Sequence, residues 1–314
     1  MATIVLTGAA GFIGSHTAEQ FLAAGHRVIG VDNFRTGHRR NLSGILNNGN
    51  FFLREIDVAA DGALGALVAE YKPAAIVHLA ALVSVQESIA NPQLNYRLNI
   101  HATQLVAETA RQHRVPRVVF ASSAGVYGSN GKLPLKESDE TRPISPYGAA
   151  KLVSEYLLLN YAETYGFTVR SLRYFNVYGP RQDPTSPYSG VLSLFVRGFS
   201  EGKPVAIYGD GWQTRDFIAV NDVAQANVLA ATKADLGSGT ANICTGQAIS
   251  LQKILAIFLA HFPTAPSPIY APARLGDVMH SFGDPSKAQN DFGFMAETKI
   301  EEGLAKIFSS INRT

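Results

Sequence analysis

Short apolar runs at 3–7, 27–32, 51–55, 75–79, 117–122 and 168–173 recur through the first half of the chain, and most are continuous rather than alternating. A strand that is apolar at nearly every position has both faces covered, so these runs predict a parallel sheet held between helices. Between them, helical patterns occupy 14–24, 64–70, 95–113 and 146–165. Strand and helix in alternation predict the α/β class, with a doubly wound, Rossmann-type parallel sheet.

After about Asn176 the pattern changes. Gly179-Pro180-Arg181-Gln182-Asp183-Pro184 and the proline-dense stretch from Pro263 to Pro272 read as loops or domain edges. Apolar patterning returns at 216–231, as strand then helix, and at 240–244 as a further strand. The expected division is therefore a larger domain from 1–176 plus about 216–245, and a smaller, discontinuous α/β domain from about 177–215 plus 246–314.

Composition narrows the classes. The chain has 314 residues, 46% hydrophobic and 17% charged, which excludes disorder. A net charge of +2 advertises neither nucleic acid nor a membrane surface as partner. The longest apolar stretch, 74–85, carries His78 and Ser84 and falls short of the roughly 20 residues that cross a bilayer. One cysteine, Cys244, precludes an internal disulfide framework. With no basic leader before Ile4, a cytoplasmic protein is expected. Eight histidines are scattered without ligand spacing, so no metal is expected.

Gly8, Gly11 and Gly14, in Thr7-Gly8-Ala9-Ala10-Gly11-Phe12-Ile13-Gly14, sit between the first strand and the first helix. Missing side chains let a diphosphate approach the backbone, and the helix start offers free N–H groups. In that context the glycines predict a dinucleotide site. Asp32 ends the second strand, where a carboxylate can bond ribose hydroxyls and repel a 2′-phosphate, which favours NAD over NADP. The plainer alternative for Asp32 is a turn carboxylate. Asp57 and Val58, after the third strand, fall by position near an adenine edge.

Ser145-Pro146 is a helix-start signature, and it places Tyr147 and Lys151 one turn apart on one helical face. An ammonium so close is expected to lower the tyrosine pKa and make a general base. The fifth strand ends in Ser122-Ser123, at the sheet edge where ligands of open α/β folds bind. A serine hydroxyl there can bond a substrate oxygen as charge develops on it. Either feature alone is equally an ordinary helix surface or a loop cap.

Together the glycine loop, His78-Leu79-Ala80-Ala81, Ser122-Ser123-Ala124-Gly125-Val126-Tyr127-Gly128, Tyr147-x-x-x-Lys151 and Arg173-Tyr174-Phe175-Asn176-Val177-Tyr178-Gly179-Pro180 resemble the extended short-chain dehydrogenase/reductase family. Within it the chain is most similar to the UDP-glucose and UDP-N-acetylglucosamine 4-epimerases, nearly end to end. The resemblance implies Ser123, Tyr147 and Lys151 as catalytic triad, with Lys151 also on the nicotinamide ribose. It implies Phe12, Ile13, Asn33, Leu79, Ala80, Ala81, Asn99 and Phe175 as further NAD neighbours. The reaction it implies has no net redox change: transient oxidation at sugar C4, rotation of the flat 4-keto sugar, and return of hydride on the other face. A homodimer through the helices at 95–113 and 146–165 is implied too.

For the nucleotide sugar, the resemblance implies Arg215 and Arg274 on the diphosphate, Asn176 and Asp277 on the nucleotide sugar, and Val191 and Tyr208 at the uridine. Ser281 falls where relatives restricted to UDP-glucose carry tyrosine, so its small side chain is expected to admit N-acetyl sugars. A 4,6-dehydratase is disfavoured, because Ala124-Gly125 lack the carboxylates that eliminate water. A UDP-glucuronate epimerase or decarboxylase, with Arg181 on the sugar carboxylate, and an inactive NAD-binding protein of the same fold are the alternatives.

Overall fold

The computed structural model describes residues 1–183, 190–273 and 278–311. The apolar runs become strands β1 (Thr3–Thr7), β2 (Arg27–Asp32), β3 (Phe51–Glu55), β4 (Ala75–His78), β5 (Arg117–Ser123) and β6 (Thr168–Tyr174). A seventh strand, Gly239–Ile243, adds at the edge beside β6. All seven pair in parallel, in the order seventh strand, β6, β5, β4, β1, β2, β3. The chain leaves one edge after β3 and restarts on the far side of β1 at β4. The carboxyl ends of β1 and β4 therefore face a crevice at the point where strand order reverses.

Period-two alternation explains why these strands read as unbroken apolar runs. Ile4, Leu6, Val77, Val119, Ala121 and Leu172 point to one face, where they meet Ala18 and Phe21 of the first helix (Phe12–Ala23) and Val223 and Ala226 of the helix Val220–Thr232. Val5, Ile29, Ile76, Val118, Phe120 and Val169 point to the other, against Leu67, Val106, Ala110, Leu158 and Ala162. Burying a Val, Leu, Ile or Phe side chain there is worth about 1.5–3 kcal/mol, and a polar position on either face carries a cost unless it is hydrogen-bonded.

A separate aromatic core lies away from the sheet. Phe195, Phe199, Phe258 and Phe308 pack together from the helices Val191–Ser200, Leu251–His261 and Ile300–Ile311, with Phe258 and Phe308 ring centres 5.0 Å apart. Ala288, Phe292 and Phe294, although late in the chain, pack in the core on the first face of the sheet.

The helix expected at 95–113 is instead a composite. A short helix, Pro92–Asn95, runs into wide π turns over Tyr96–His101 and then into Ala102–Gln112. The wide turns leave the Asn99 carbonyl to accept the Thr103 hydroxyl at 2.6 Å and the Ser154 hydroxyl at 3.2 Å. No helix among the described residues is long and apolar enough to cross a membrane.

Candidate active site

The glycine loop is built by close backbone approach. Gly8 turns the chain out of β1 at φ +70°, and its carbonyl accepts the Gly11 N–H at 3.1 Å. A Cβ on Gly14 would stand 2.0 Å from that carbonyl oxygen, and one on Gly8 would stand 2.8 Å from the Ala80 nitrogen. Gly11 then N-caps the helix carrying Phe12, Ile13 and Gly14, with neither a side-chain cap nor an acidic residue in its first turn. The early N–H groups and the positive helix end stay open to an anion, and the cradle has no room for side chains, so these residues fit a pyrophosphate.

Asp32 closes one side of the loop. Its carboxylate is 7% exposed and accepts the Ala10 and Phe34 amides, each at 2.8 Å. Burial pushes its pKa up and those two amides oppose the rise. Each oxygen keeps a lone pair for a ribose hydroxyl. Asn33 is exposed and accepts the Arg35 amide at 3.1 Å. Asp57 pairs with Arg97 at 3.3 Å and accepts the Ala59 amide, while Val58 is buried.

The wall after β4 hangs on one hydroxyl. Thr7 Oγ1 accepts the Leu79 and Ala80 amides at 3.2 Å each and lies 2.8 Å from His78 Nδ1. His78 Nε2 lies 3.3 Å from Thr103 Oγ1. Burial drives His78 down to about 3, so it is a neutral strut. Beside Ala81, Asn99 grips Leu82 twice: its Oδ1 accepts the Leu82 amide and its Nδ2 donates to the Leu82 carbonyl, both at 3.0 Å. A third bond goes to Asn95 Oδ1 at 2.7 Å, so both donors of Asn99 shape the wall.

At the carboxyl end of β5 the Ser123 hydroxyl accepts the Gly125 amide at 3.0 Å. The helix Pro146–Tyr165 starts as the sequence predicts: Ser145 caps it through the Gly148 amide at 3.1 Å and Pro146 takes its first position. Tyr147 and Lys151 thereby share one face, with Ser123 close enough to the Tyr147 phenol to favour its ionised form. Lys151 is 3% exposed, donates from Nζ to the Ala121 carbonyl at 2.8 Å, and lies 5.8 Å from the Tyr147 ring centre.

The electrostatics differ from the sequence expectation. Burial pushes the Tyr147 phenol above its ordinary value, with Ser123 opposing, and pushes Lys151 down to about 7. Neighbouring sequence positions suggest mutual charge stabilisation. In the fold, loss of water from both groups outweighs it, and the ammonium is turned onto a backbone carbonyl.

On the opposite side, Phe175 is buried and donates its amide to the Ile243 carbonyl at 3.1 Å. Asn176 opens a short strand, Asn176–Tyr178, paired in parallel with Phe217–Ala219, and its Nδ2 donates to the Asp216 carbonyl at 3.2 Å. The Asp216 carboxylate gathers the Thr245 amide, the Thr245 hydroxyl, the Gly246 amide and the Gly283 amide at 2.8, 2.7, 2.9 and 3.3 Å. Thr214–Arg215 pairs with Ile249–Ser250 and with His280–Ser281, setting Ser281 opposite Arg215. Arg215 Nη1 donates to the Thr214 carbonyl at 2.9 Å. Tyr208 ends the strand Ala206–Tyr208 with 37% exposure, and Val191 opens its helix partly buried. Arg274 and Asp277 lie outside the described residues.

One group escaped the reading of the sequence. Glu155, one turn beyond Lys151 on the same helix, is buried and takes a bidentate Arg173 guanidinium, with Nε at 3.0 Å and Nη2 at 2.7 Å. The Ser122 hydroxyl donates to the same carboxylate. Arg173 also reaches the Tyr127 hydroxyl at 3.0 Å, which donates to Asn242 Oδ1 at 2.7 Å. The available signal was an acid on a helix whose neighbours Lys151, Ser154 and Leu158 are all on the inward side. Among the described residues, no three His, Cys, Asp or Glu side chains gather as a metal site.

Residues 4–244 match the NAD dependent epimerase/dehydratase family. The chain is similar to the UDP-glucose 4-epimerase of Mycolicibacterium smegmatis, 37% identical over 98% of this chain and 97% of that protein. Among solved structures it is similar to UDP-glucose 4-epimerase from Thermotoga maritima with UDP-glucose, 35% identical, TM-score 0.91, over 99% and 98% of the two chains. It is also similar to UDP-N-acetylglucosamine 4-epimerase from Methanobrevibacter ruminantium in complex with UDP-N-acetylmuramic acid, 34% identical, TM-score 0.92, over 98% and 99%. A glycine cradle fit for a dinucleotide, a serine–tyrosine–lysine cluster at the sheet edge and these likenesses agree: the chain belongs to the NAD dependent epimerase/dehydratase family.

Proposed function

We propose that this protein is an NAD-dependent 4-epimerase that interconverts UDP-glucose and UDP-galactose, accepts their N-acetylated forms, and works in the cytoplasm as a homodimer. The observation that carries the reading is Tyr147 on one helical face with Lys151 a turn away, beside Ser123 at the carboxyl end of β5 and near the glycine loop. NAD, when bound, supplies the hydride acceptor and donor for sugar C4. Gly8, Gly11 and Gly14 hold its diphosphate, Asp32 its adenosine ribose and Lys151 its nicotinamide ribose.

In this reading Tyr147 takes the proton of the sugar 4-hydroxyl and gives it back after the sugar has turned. Ser123 donates a hydrogen bond to the same oxygen while charge develops there. Ala124 and Gly125 put no carboxylate beside that oxygen, so nothing promotes loss of water. Arg215 and Arg274 hold the UDP diphosphate, Asn176 and Asp277 the nucleotide sugar, and Val191 and Tyr208 line the uridine site. The division of labour is part of the proposal: cofactor on 1–176 plus 216–245, nucleotide sugar on 177–215 plus 246–314.

Purified protein incubated with UDP-glucose or UDP-N-acetylglucosamine, with and without added NAD, is expected to form the galacto epimer of each. Ser281→Tyr is expected to keep the first reaction and lose at least about tenfold on the second, because the ring fills the acetamido volume. No epimer from either sugar with NAD present overturns the reading. Equal rates for Ser281→Tyr on both sugars overturn the gate. The homodimer reading is supported by exposed Tyr96 on the composite helix and exposed Val153, Tyr156 and Tyr165 on the helix Pro146–Tyr165. A solution mass equal to one chain, by light scattering, would sink it.

A further inference from the structure

A buried carboxylate needs partners, and an apolar side chain would cost less in a purely structural position. Glu155 is 2% exposed and meets Arg173 from β6 and Ser122 from β5, which are register partners in the sheet. Its position is informative. On its own helix it follows Lys151 by four residues, the spacing at which side chains touch, and along β5 its partner Ser122 immediately precedes Ser123. The strand end carrying Ser123 and the helix carrying Tyr147 and Lys151 are thus joined through one carboxylate.

We propose that Glu155 is a positioning residue of this site: its carboxylate keeps Lys151 cationic and clamps the Ser122–Ser123 strand end to the catalytic helix. The other groups around Lys151 are few. His78 approaches from β4 and is neutral, Tyr147 sits on the same helix, and Arg173 from β6 and Tyr127 after β5 stand behind Glu155. The aromatic face of Phe120, 4.9 Å from Lys151 Nζ, adds a weaker attraction. Among the charged groups around Lys151, Glu155 is the one that favours the ammonium against burial.

The sign follows directly. Lys151 is cationic below its midpoint and neutral above it, so deleting the Glu155 charge lowers the midpoint and moves the loss of the ammonium to lower pH. In the full chain labelled with ¹³Cε-lysine, with Lys151→Arg giving the assignment, Glu155→Gln is expected to lower the Lys151 midpoint by about one pH unit or more. The alkaline limb of kcat should move down with it. Glu155→Asp, which keeps the charge, is expected to recover most of the midpoint. If Glu155→Gln does not fold, Glu155→Gln/Arg173→Met removes both charges together, and a smaller downward shift is expected. An unmoved midpoint in whichever of these variants folds overturns the electrostatic role.

Ser122→Ala tests the clamp. It is expected to lower kcat several-fold with KM and the Lys151 midpoint unmoved, whereas unchanged kcat overturns this part. The inference rests on the epimerase reading for its kcat arms alone. The NMR midpoint needs no substrate, so a wild-type protein that forms no epimer defeats that reading, and an unmoved midpoint defeats this one.

Discussion

Tyr147→Phe is expected to reduce epimer formation by about 10²–10⁴-fold, which is the share of catalysis that a positioned acid–base group supplies. In free-energy terms the loss is about 3–5 kcal/mol of transition-state stabilisation. The substitution removes one oxygen and leaves the ring, and the backbone contact from the Tyr147 amide to Ser88 Oγ at 3.1 Å is untouched. KM for UDP-glucose should therefore change little, and the melting temperature should hold or rise, since a buried hydroxyl is lost with its ring in place. Steady-state rates of UDP-galactose formation check this. A variant keeping more than a tenth of wild-type kcat would mean that another group handles the 4-hydroxyl proton.

The second large effect concerns the cofactor cradle. Gly14→Ala ordinarily favours a helix, by about 1 kcal/mol. Here the sign reverses, because the new methyl would stand 2.0 Å from the Gly8 carbonyl oxygen and 3.0 Å from the Ala9 Cα. Those are backbone atoms and cannot rotate away. Either the first turn of the helix lifts or the loop opens, at a cost of about 1–3 kcal/mol or more. For a chain of this length that predicts a fall of several degrees in melting temperature. Affinity for NAD, followed by calorimetry, is expected to fall at least about a hundredfold. Gly49→Ala, with nothing near its Cβ position, is the matched control and should leave both unchanged. Wild-type NAD affinity in Gly14→Ala would show that the dinucleotide does not lie on this loop.

What was legible in the sequence follows from how each feature is encoded. Strands buried on both faces have few polar positions to interrupt them, so β1, β2, β4 and β5 begin where the apolar runs begin. Ser145-Pro146 fixes a helix start locally, and Tyr147 and Lys151 follow from that start by geometry alone. The π turns over Tyr96–His101 have no local signature, because they depend on the hydroxyls of Thr103 and, from a different helix, Ser154 donating to the Asn99 carbonyl. Glu155 was invisible for a similar reason. An isolated acid on a helix reads as a solvated face, and only the pairing of Ser122 with Arg173 across β5 and β6 reveals the site that receives it. The direction of the Tyr147 shift depends on how much water the fold removes, which spacing does not carry.

The Asp216 carboxylate ties two otherwise separate segments to the chain beside Arg215: Thr245 and Gly246 after the seventh strand, and Gly283 two residues beyond Ser281. Arg215 and Ser281 also face each other in register. In the proposed reading, the residue beside the sugar and the guanidinium on the diphosphate therefore sit on one ladder. A change at 281 that fills only the volume beside the sugar would leave the guanidinium in place, whereas one that displaces the backbone of the ladder would reach Arg215 and the hold on the nucleotide. On the proposed roles, the substrate range is bounded by what one shared ladder tolerates as well as by the volume beside the sugar ring.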